Sequence, residues 1–177
     1  MIFKETKLNN VFIIEIEKKE DHRGFFSRTW CKREFEGHGL KPEMVQSNIA
    51  FSKKRGTLRG LHYQMAPFEE DKLVRCIKGS IYDVIIDLRP DYPTYKQWLG
   101  VELDGENYKM IYVPGGFAHG YLTLTDNTEV FYQVSQFYFP GSEKGIRYND
   151  PTFNIAWPEI DNLVISDKDR NFPNYSL

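Results

Sequence analysis

The sequence predicts an all-β fold, and three features carry that expectation. Short runs rich in β-branched and aromatic residues recur along the chain. Gly, Pro, Asn and Asp punctuate them with turn signals, and helical patterning is scarce. Aromatic residues make up 15% of the chain, which leans the same way. A length of 177 residues fits one domain with a sizeable core. The simplest architecture is therefore a single jelly-roll-like domain over residues 1–177, a β-sandwich or barrel with a few short helices.

The elements follow in order. Val11 to Ile16 is the first clear strand, and Trp30 to Glu36 is one short helix, stopped by Gly37 and Gly39. Leu73 to Cys76 is extended and closed by Lys78-Gly79. Ser80 to Asp87 carries Ile81 and the run Val84-Ile85-Ile86, with polar residues at Asp83 and Asp87, and reads as a mostly buried strand ended by Arg89-Pro90-Asp91. Trp98 to Leu103 and Lys109 to Val113 flank Asp104-Gly105. Pro114-Gly115-Gly116 precedes the strand Gly120 to Leu124, and Thr125-Asp126-Asn127 turns the chain into Thr128 to Ser135. The tail from Val164 to Leu177 is polar, contains Pro173 and reads as irregular but docked. Partly apolar strands near the N-terminal end point to pairing between subunits, because exposed strand edges need covering.

Composition narrows the function. A net charge of −2 with no long basic run argues against nucleic acid as a partner. Cys31 and Cys76 form no disulfide framework and read as free thiols in a reducing compartment. The N-terminal stretch lacks the apolar run of a signal peptide, and no segment is long and apolar enough to span a bilayer, so a soluble cytoplasmic protein is expected.

Of the histidines His22, His38, His62 and His119, His38 lies in a Gly-flanked turn and reads as exposed. His62 and His119 each sit in a Gly-flanked aromatic segment, Arg59-Gly60-Leu61-His62-Tyr63-Gln64 and Gly116-Phe117-Ala118-His119-Gly120-Tyr121. Metal-binding jelly rolls usually offer two closely spaced histidines, then a carboxylate and a further histidine; with Gly60 and Gln64 on either side His62 stands alone, and His62 with His119 would lack ligands, so no metal is expected. A neutral imidazole suits general-base work at neutral pH and needs an orienting carboxylate, for which Asp167 and Asp169 are both candidates. Lys53, Lys54, Arg55, Arg59, Lys72 and Arg75 cluster in the same region. Arg59, Lys72 and Arg75 lie in β-patterned segments. Guanidinium groups suit a diphosphate, and a lysine beside a carbonyl oxygen would stabilise charge developing there. The chain has no Gly-rich dinucleotide fingerprint, no phosphate-binding P-loop and no nucleophile elbow. The residues alone thus lead to a β domain with a His base, a cationic pocket and an anionic small-molecule ligand.

An ordered set of segments resembles the dTDP-4-dehydrorhamnose 3,5-epimerase family, a cupin-type jelly roll that works as a homodimer. These segments are Asp21-His22-Arg23-Gly24-Phe25-Phe26, Gln46-Ser47-Asn48, Ser52 to Gln64, Lys72-Leu73-Val74-Arg75, Val113 to Gly120, Gly145 to Pro151 and Ser166-Asp167-Lys168-Asp169. The resemblance implies His62 as the base, Asp169 as its orienting carboxylate, Tyr132 as the acid on the opposite sugar face and Lys72 as the group near the C4 oxygen. It implies substrate contacts from Arg23 and Arg59 at phosphate, from Phe26, Gln46, Asn48 and His119 in the pocket, and from Tyr138 near the sugar. It also implies a dTDP-linked 4-keto-6-deoxyhexose substrate and no cofactor. A C4 ketone acidifies the C3 and C5 hydrogens, so inversion needs a base on one face, an acid on the other and a cation or donor at the enolate oxygen.

Two departures stand out. Arg28 occupies a position where the family often has a Glu that helps to read the nucleobase, and exchanging an acceptor for a donor leaves a CDP-linked sugar open beside the dTDP-linked one. Gln133 follows Tyr132 where the family usually has Lys. Action at C5 or C3 alone, non-catalytic binding of a sugar nucleotide and a metal-dependent cupin activity are the competing readings.

Overall fold

Alternating inward and outward side chains build two sheets that share one apolar interior. The computed structural model describes residues 1–176. In chain order the strands are β1 (Ile2–Glu5), β2 (Phe12–Glu15), β3 (Lys19–Asp21), β4 (Gly24–Phe26), β5 (Gln46–Ser52), β6 (Thr57–Gln64) and β7 (Lys72–Lys78). They continue with β8 (Ser80–Asp87), β9 (Trp98–Asp104), β10 (Met110–Val113), β11 (Phe117–Thr123), β12 (Thr128–Val134), β13 (Glu143–Gly145) and β14 (Val164–Ile165). The helices are α1 (Lys32–Gly37) and α2 (Asp167–Arg170). One sheet runs β1-β2-β10-β7-β12-β5; the other runs β13-β6-β11-β8-β9, with β14 paired parallel to β6. Strands β3 and β4 form a separate hairpin, exposed along its length, with Phe25 resting edge-on against Tyr108.

The layers are legible in strand parity. On β7, Val74 and Cys76 face the second sheet, while Leu73 faces away. On β8, Ile81 and Ile85 face inward, while Val84 and Ile86 face outward. The interior between the sheets is thus built from Val74, Cys76, Ile111, Val113 and Val130 of one and Ile81, Ile85, Leu103, Phe117 and Tyr121 of the other. Outside the first sheet, α1 lays Phe35 onto Phe12, Ile14, Leu73, Met110 and Tyr112. Outside the second, Ile146 and Phe153 of the C-terminal loops cover Leu61, Val84, Ile86 and Ala118. This is the jelly-roll arrangement expected from the sequence.

Several boundaries differ from expectation for local reasons. The strand expected from Lys109 begins at Met110, because Tyr108 adopts φ +53° and the Lys109 amide donates to the Asn107 side chain. The strand expected from Gly120 already begins at Phe117, directly after Gly116 turns at φ +83°. The helix expected from Trp30 starts at Lys32, with Cys31 at its N-cap. The tail is more ordered than expected: it forms β14, and Ser166 Oγ accepts a hydrogen bond from the Asp169 amide to cap α2. Strands β1 and β5 were not marked by the pattern, β5 because it is mixed in polarity, while β6 was recognised as β-patterned around Arg59 but not bounded, since glycine interrupts it. Cys31 is half-buried and Cys76 buried, both as free thiols, and burial pushes the Cys76 thiol up to about 11. No helix among the described residues is long and apolar enough to cross a membrane.

Candidate active site

Side chains from both sheets converge on a cavity of about 680 Å³. The first sheet supplies one wall. Inward-facing positions on β5 present Gln46 and Asn48, β12 presents Tyr132 and Val134, and β7 opens with Lys72. Register sets them in rows: Tyr132 lies between Asn48 and Val74, and Val134 between Gln46 and Lys72. Gln133, one of the two departures from the family pattern, points the other way and donates to Ser47 Oγ, so it leaves the cavity wall unaltered.

The second sheet supplies the other wall from β6 and β11. His119 is paired with His62, but Tyr121 is paired with Arg59, so β6 carries one extra residue between the two pairs. A bulge of this kind allows Arg59 and His62, which strict alternation would send to opposite faces, to line the same cavity. Gly60 sits in the bulge at φ +109°, a conformation that L side chains rarely adopt. A Cβ there would lie 2.7 Å from both Gly120 Cα and His119 O, so the close approach of β6 and β11 requires glycine.

The bulge also serves the carboxylate. Asp169, on α2 and 5% exposed, accepts from His62 Nε2 at 2.8 Å on one oxygen and from the Gly60 amide at 3.1 Å on the other. Burial pushes its carboxyl upward, but the bonds from His62 and Gly60 outweigh this and hold it below the ordinary range. Asp169 is therefore an anion at neutral pH. With Nε2–H donating to it, His62 keeps Nδ1 as its free basic nitrogen. Of the two carboxylates that the residues alone left open, it is Asp169, the one the family resemblance implied, that meets His62. His119 has a matching arrangement: its Nε2 lies 2.8 Å from Asp83 Oδ2, and Asp83 is fully buried.

On the facing wall, Lys72 is 8% exposed and pairs with Glu70 at 3.0 Å. Burial first, and then the charge of Glu70, raise the Tyr132 phenol above its ordinary value, with Arg59 opposing. Tyr132 thus stays protonated at neutral pH. Burial likewise lifts Tyr121 to about 12. Arg59 is tied by Nε to Ser52 Oγ at 3.3 Å and by Nη2 to the Phe51 carbonyl at 3.0 Å.

The mouth is organised by a loop between β12 and β13. The Gln46 side chain accepts from the Tyr138 amide at 3.0 Å, and Tyr138 OH donates to Glu143 Oε2 at 2.8 Å. Lys168 Nζ reaches the same Glu143 oxygen at 2.6 Å. Buried Gln64 donates to the Phe68 and Phe137 carbonyls and accepts from the Phe139 amide, joining this loop to the one after β6, where Phe68 and Phe139 stack at 4.1 Å.

Of the residues expected from sequence, His62, Asp169, Lys72, Tyr132, Gln46, Asn48, Arg59, His119 and Tyr138 meet in this cavity. Arg23, Phe26 and Arg28 do not line it. Arg23 pairs with Asp21 at 2.6 Å and Phe26 is 71% exposed, both on the β3–β4 hairpin; Arg28 follows it and pairs with Glu34 at 3.1 Å. Arg75 of the cationic cluster lies on the outward face of β7, and Lys53, Lys54 and Arg55 are exposed. Sequence reasoning missed Glu70, Glu143, Lys168 and Tyr121 in the cavity or at its mouth. Asp83 carried a signal, an acid in a buried strand at an inward position, and Gln64 was read only as a missing metal ligand. Among the described residues, no three His, Cys, Asp or Glu side chains gather as a metal site would require.

Comparison with known proteins agrees with this geometry. Residues 5–176 match the sequence profile of the dTDP-4-dehydrorhamnose 3,5-epimerase family. The chain belongs to this family. As a member it is a carbohydrate epimerase, an isomerase, with the family's cupin-type jelly roll. The dTDP-4-dehydrorhamnose 3,5-epimerase of Shigella flexneri is 43% identical over 168 residues, covering 94% of this chain and 92% of the relative. The crystal structure of the Elizabethkingia anophelis epimerase superposes with a TM-score of 0.96 at 37% identity, covering 99% of this chain and 96% of that one. The Legionella pneumophila epimerase, solved in complex with dTDP-4-keto-L-rhamnose, superposes with a TM-score of 0.90 at 34% identity, covering 99% of each chain.

Proposed function

We propose that this epimerase inverts C3 and C5 of dTDP-4-keto-6-deoxy-D-glucose to give dTDP-4-keto-L-rhamnose in the cytoplasm. The observation that carries the reading is the opposition of two walls. A His62–Asp169 pair at 2.8 Å stands on the second sheet, and Tyr132 with Lys72 stands on the first, across one cavity. Inversion at a carbon needs a base and an acid on opposite faces of the sugar ring.

In this mechanism His62 Nδ1 takes the proton from the carbon next to the C4 ketone. The C–H electron pair delocalises into the carbonyl, and the enolate oxygen is held by the Lys72 ammonium. Tyr132 OH then returns a proton to the other face. Positioned acid–base catalysis of this kind contributes about 10²–10⁴-fold, and the enolate contact on the order of 10²–10³ more. Asp169 fixes the imidazole and balances its charge once protonated. Arg59 takes a phosphate oxygen, Gln46 and Asn48 bind polar groups of the substrate, His119 lines the sugar pocket and Tyr138 covers its mouth. The chemistry balances without redox, so no cofactor enters.

We also propose that the enzyme is a homodimer in which the β3–β4 hairpin of each copy completes the other's cavity. The hairpin carries Arg23 and Phe26, assigned to substrate by resemblance yet exposed and outside their own cavity. Ile49 and Phe51 on the outer face of edge strand β5 are 62% and 46% exposed, an apolar strip suited to burial by a second copy. Arg28 then lies near the nucleobase end.

The test is to mix the protein with dTDP-4-keto-6-deoxy-D-glucose in heavy water and follow the C3 and C5 proton signals by NMR. Loss of both signals with formation of the L-rhamno product is expected. Loss at one carbon restricts the enzyme to that centre. Loss at neither, together with turnover of the CDP-linked sugar, would move the nucleobase assignment to cytosine.

A further inference from the structure

The cavity holds an acid that the mechanism above leaves without a task. Glu70 lies in the loop before β7, and its Oε1 is 3.0 Å from Lys72 Nζ. Both side chains are largely shielded, 14% and 10% exposed, and both line the cavity with Tyr132. Among the described residues, Glu70 is the one carboxylate paired with Lys72. A buried ammonium on a flexible four-carbon stem does not hold a fixed position unaided, and a charge-assisted bond supplies the constraint.

We infer that Glu70 is a positioning residue of this site: its carboxylate holds the Lys72 ammonium at the cavity wall and sets a fixed negative charge beside Tyr132. The inference rests on the epimerase reading for its catalytic consequence, though not for the geometry itself. An ammonium pinned on one side offers its remaining N–H donors in a fixed direction, which is what a group meeting an enolate oxygen requires. The same carboxylate disfavours a second anion nearby and so keeps the proton on the phenol, in keeping with the raised Tyr132 value. The other titratable groups lining the cavity are Arg59, His62 and Tyr63 from β6, Lys72 from β7, His119 and Tyr121 from β11, Tyr138 and Glu143 at the mouth, and Asp169 from α2. Of these, Arg59 pulls against Glu70.

Two variants separate reach from charge. Glu70→Gln keeps the shape and removes the charge; Glu70→Asp keeps the charge and shortens the reach. With the dTDP-linked sugar, Glu70→Gln is expected to lower kcat by about tenfold to a hundredfold, the scale of one charge-assisted hydrogen bond. KM should move by less than about threefold, and the basic limb of the kcat–pH profile should shift to lower pH. Glu70→Asp should lower kcat while leaving that limb in place. An unchanged kcat and profile in Glu70→Gln would overturn the inference, and so would a rise in KM alone, which would make Glu70 a substrate contact. Tyrosinate absorbance measured without substrate gives a readout free of turnover, with Tyr132→Phe in each background isolating the Tyr132 signal. Its titration should move to lower pH in Glu70→Gln. If wild type turns over no nucleotide sugar, the epimerase reading falls, while an unmoved Tyr132 titration would still refute the role of Glu70.

Discussion

Asp169→Asn tests the centre of the mechanism with a change of one atom. The wild-type carboxylate uses both oxygens as acceptors, one for His62 Nε2–H and one for the Gly60 amide. Asparagine has one acceptor and one donor, so it cannot serve both. Turning its NH2 toward the Gly60 amide would leave a buried N–H without an acceptor, at about 1–3 kcal/mol. The favoured orientation therefore keeps the oxygen on Gly60 and points the NH2 at His62. Nε2 must then accept, and the ring proton moves to Nδ1, the nitrogen that has to take the substrate's proton. The variant loses the base along with the negative charge that balances the imidazolium. The expected fall in kcat is that of a general base, about 10²–10⁴-fold, with KM within about threefold because Asp169 is 5% exposed and acts through His62. Deuterium wash-in at C3 and C5 under saturating sugar measures it, with circular dichroism to establish that the variant is folded. A folded variant with kcat within about threefold of wild type would refute the role given to Asp169.

The remaining predictions concern proton return, backbone room and acid stability. Tyr132→Phe should keep the base and lose the acid, so deuterium still enters C3 or C5 from the His62 side while inverted product falls by about 10²–10⁴-fold; equal loss of exchange and inversion would place the acid elsewhere. Gly60→Ala adds a methyl group 2.7 Å from two backbone atoms at φ +109°, and strain plus overpacking should cost about 2–6 kcal/mol. Its thermal midpoint should drop on the order of 10 °C, and an unchanged midpoint would contradict the bulge geometry. Because Asp169 titrates lower when folded than when unfolded, its stabilisation is complete above the ordinary carboxylate value and is lost as pH falls through the folded value. The Tm gap between wild type and Asp169→Asn should thus be widest near neutral pH and close in strong acid; a gap constant with pH would contradict the charge assignment.

What the sequence could reveal was set by how far each feature depends on local pattern. Ser80 to Asp87 was legible because its apolar run is continuous and its neighbours are turn residues, and it forms β8 over the same residues. Strand β5 was not, because its outer face exposes Ile49 and Phe51 while its inner face carries Gln46 and Asn48, the reverse of a half-buried strand. The polar inner face lines the cavity, and the apolar outer face is the strip assigned above to the proposed dimer contact. Both inversions lie outside what alternation alone can decode.

The site divides along the same line. His62 and Lys72 were visible because an imidazole and a cation stand out in β-patterned segments. Glu70 and Glu143 were not, because a carboxylate in a loop or at the start of a short polar strand is ordinarily a solvated charge, and only the fold turns these two toward Lys72 and Lys168. From the residues alone Asp169 was ambiguous with Asp167; the family resemblance favoured Asp169, and α2 presents that side chain to β6. The opposition of acid and base, however, follows from topology. Tyr132 and His62 belong to different sheets, each at an inward position, so they confront one another wherever the sheets part enough to admit a ligand. The irregularity at Gly60 is what brings Arg59 onto the same wall as His62, so that one bulge joins the cation proposed to hold phosphate to the proposed proton-transfer pair. A sequence variant that restored strict alternation on β6 would therefore separate anchoring from chemistry even with every named side chain intact.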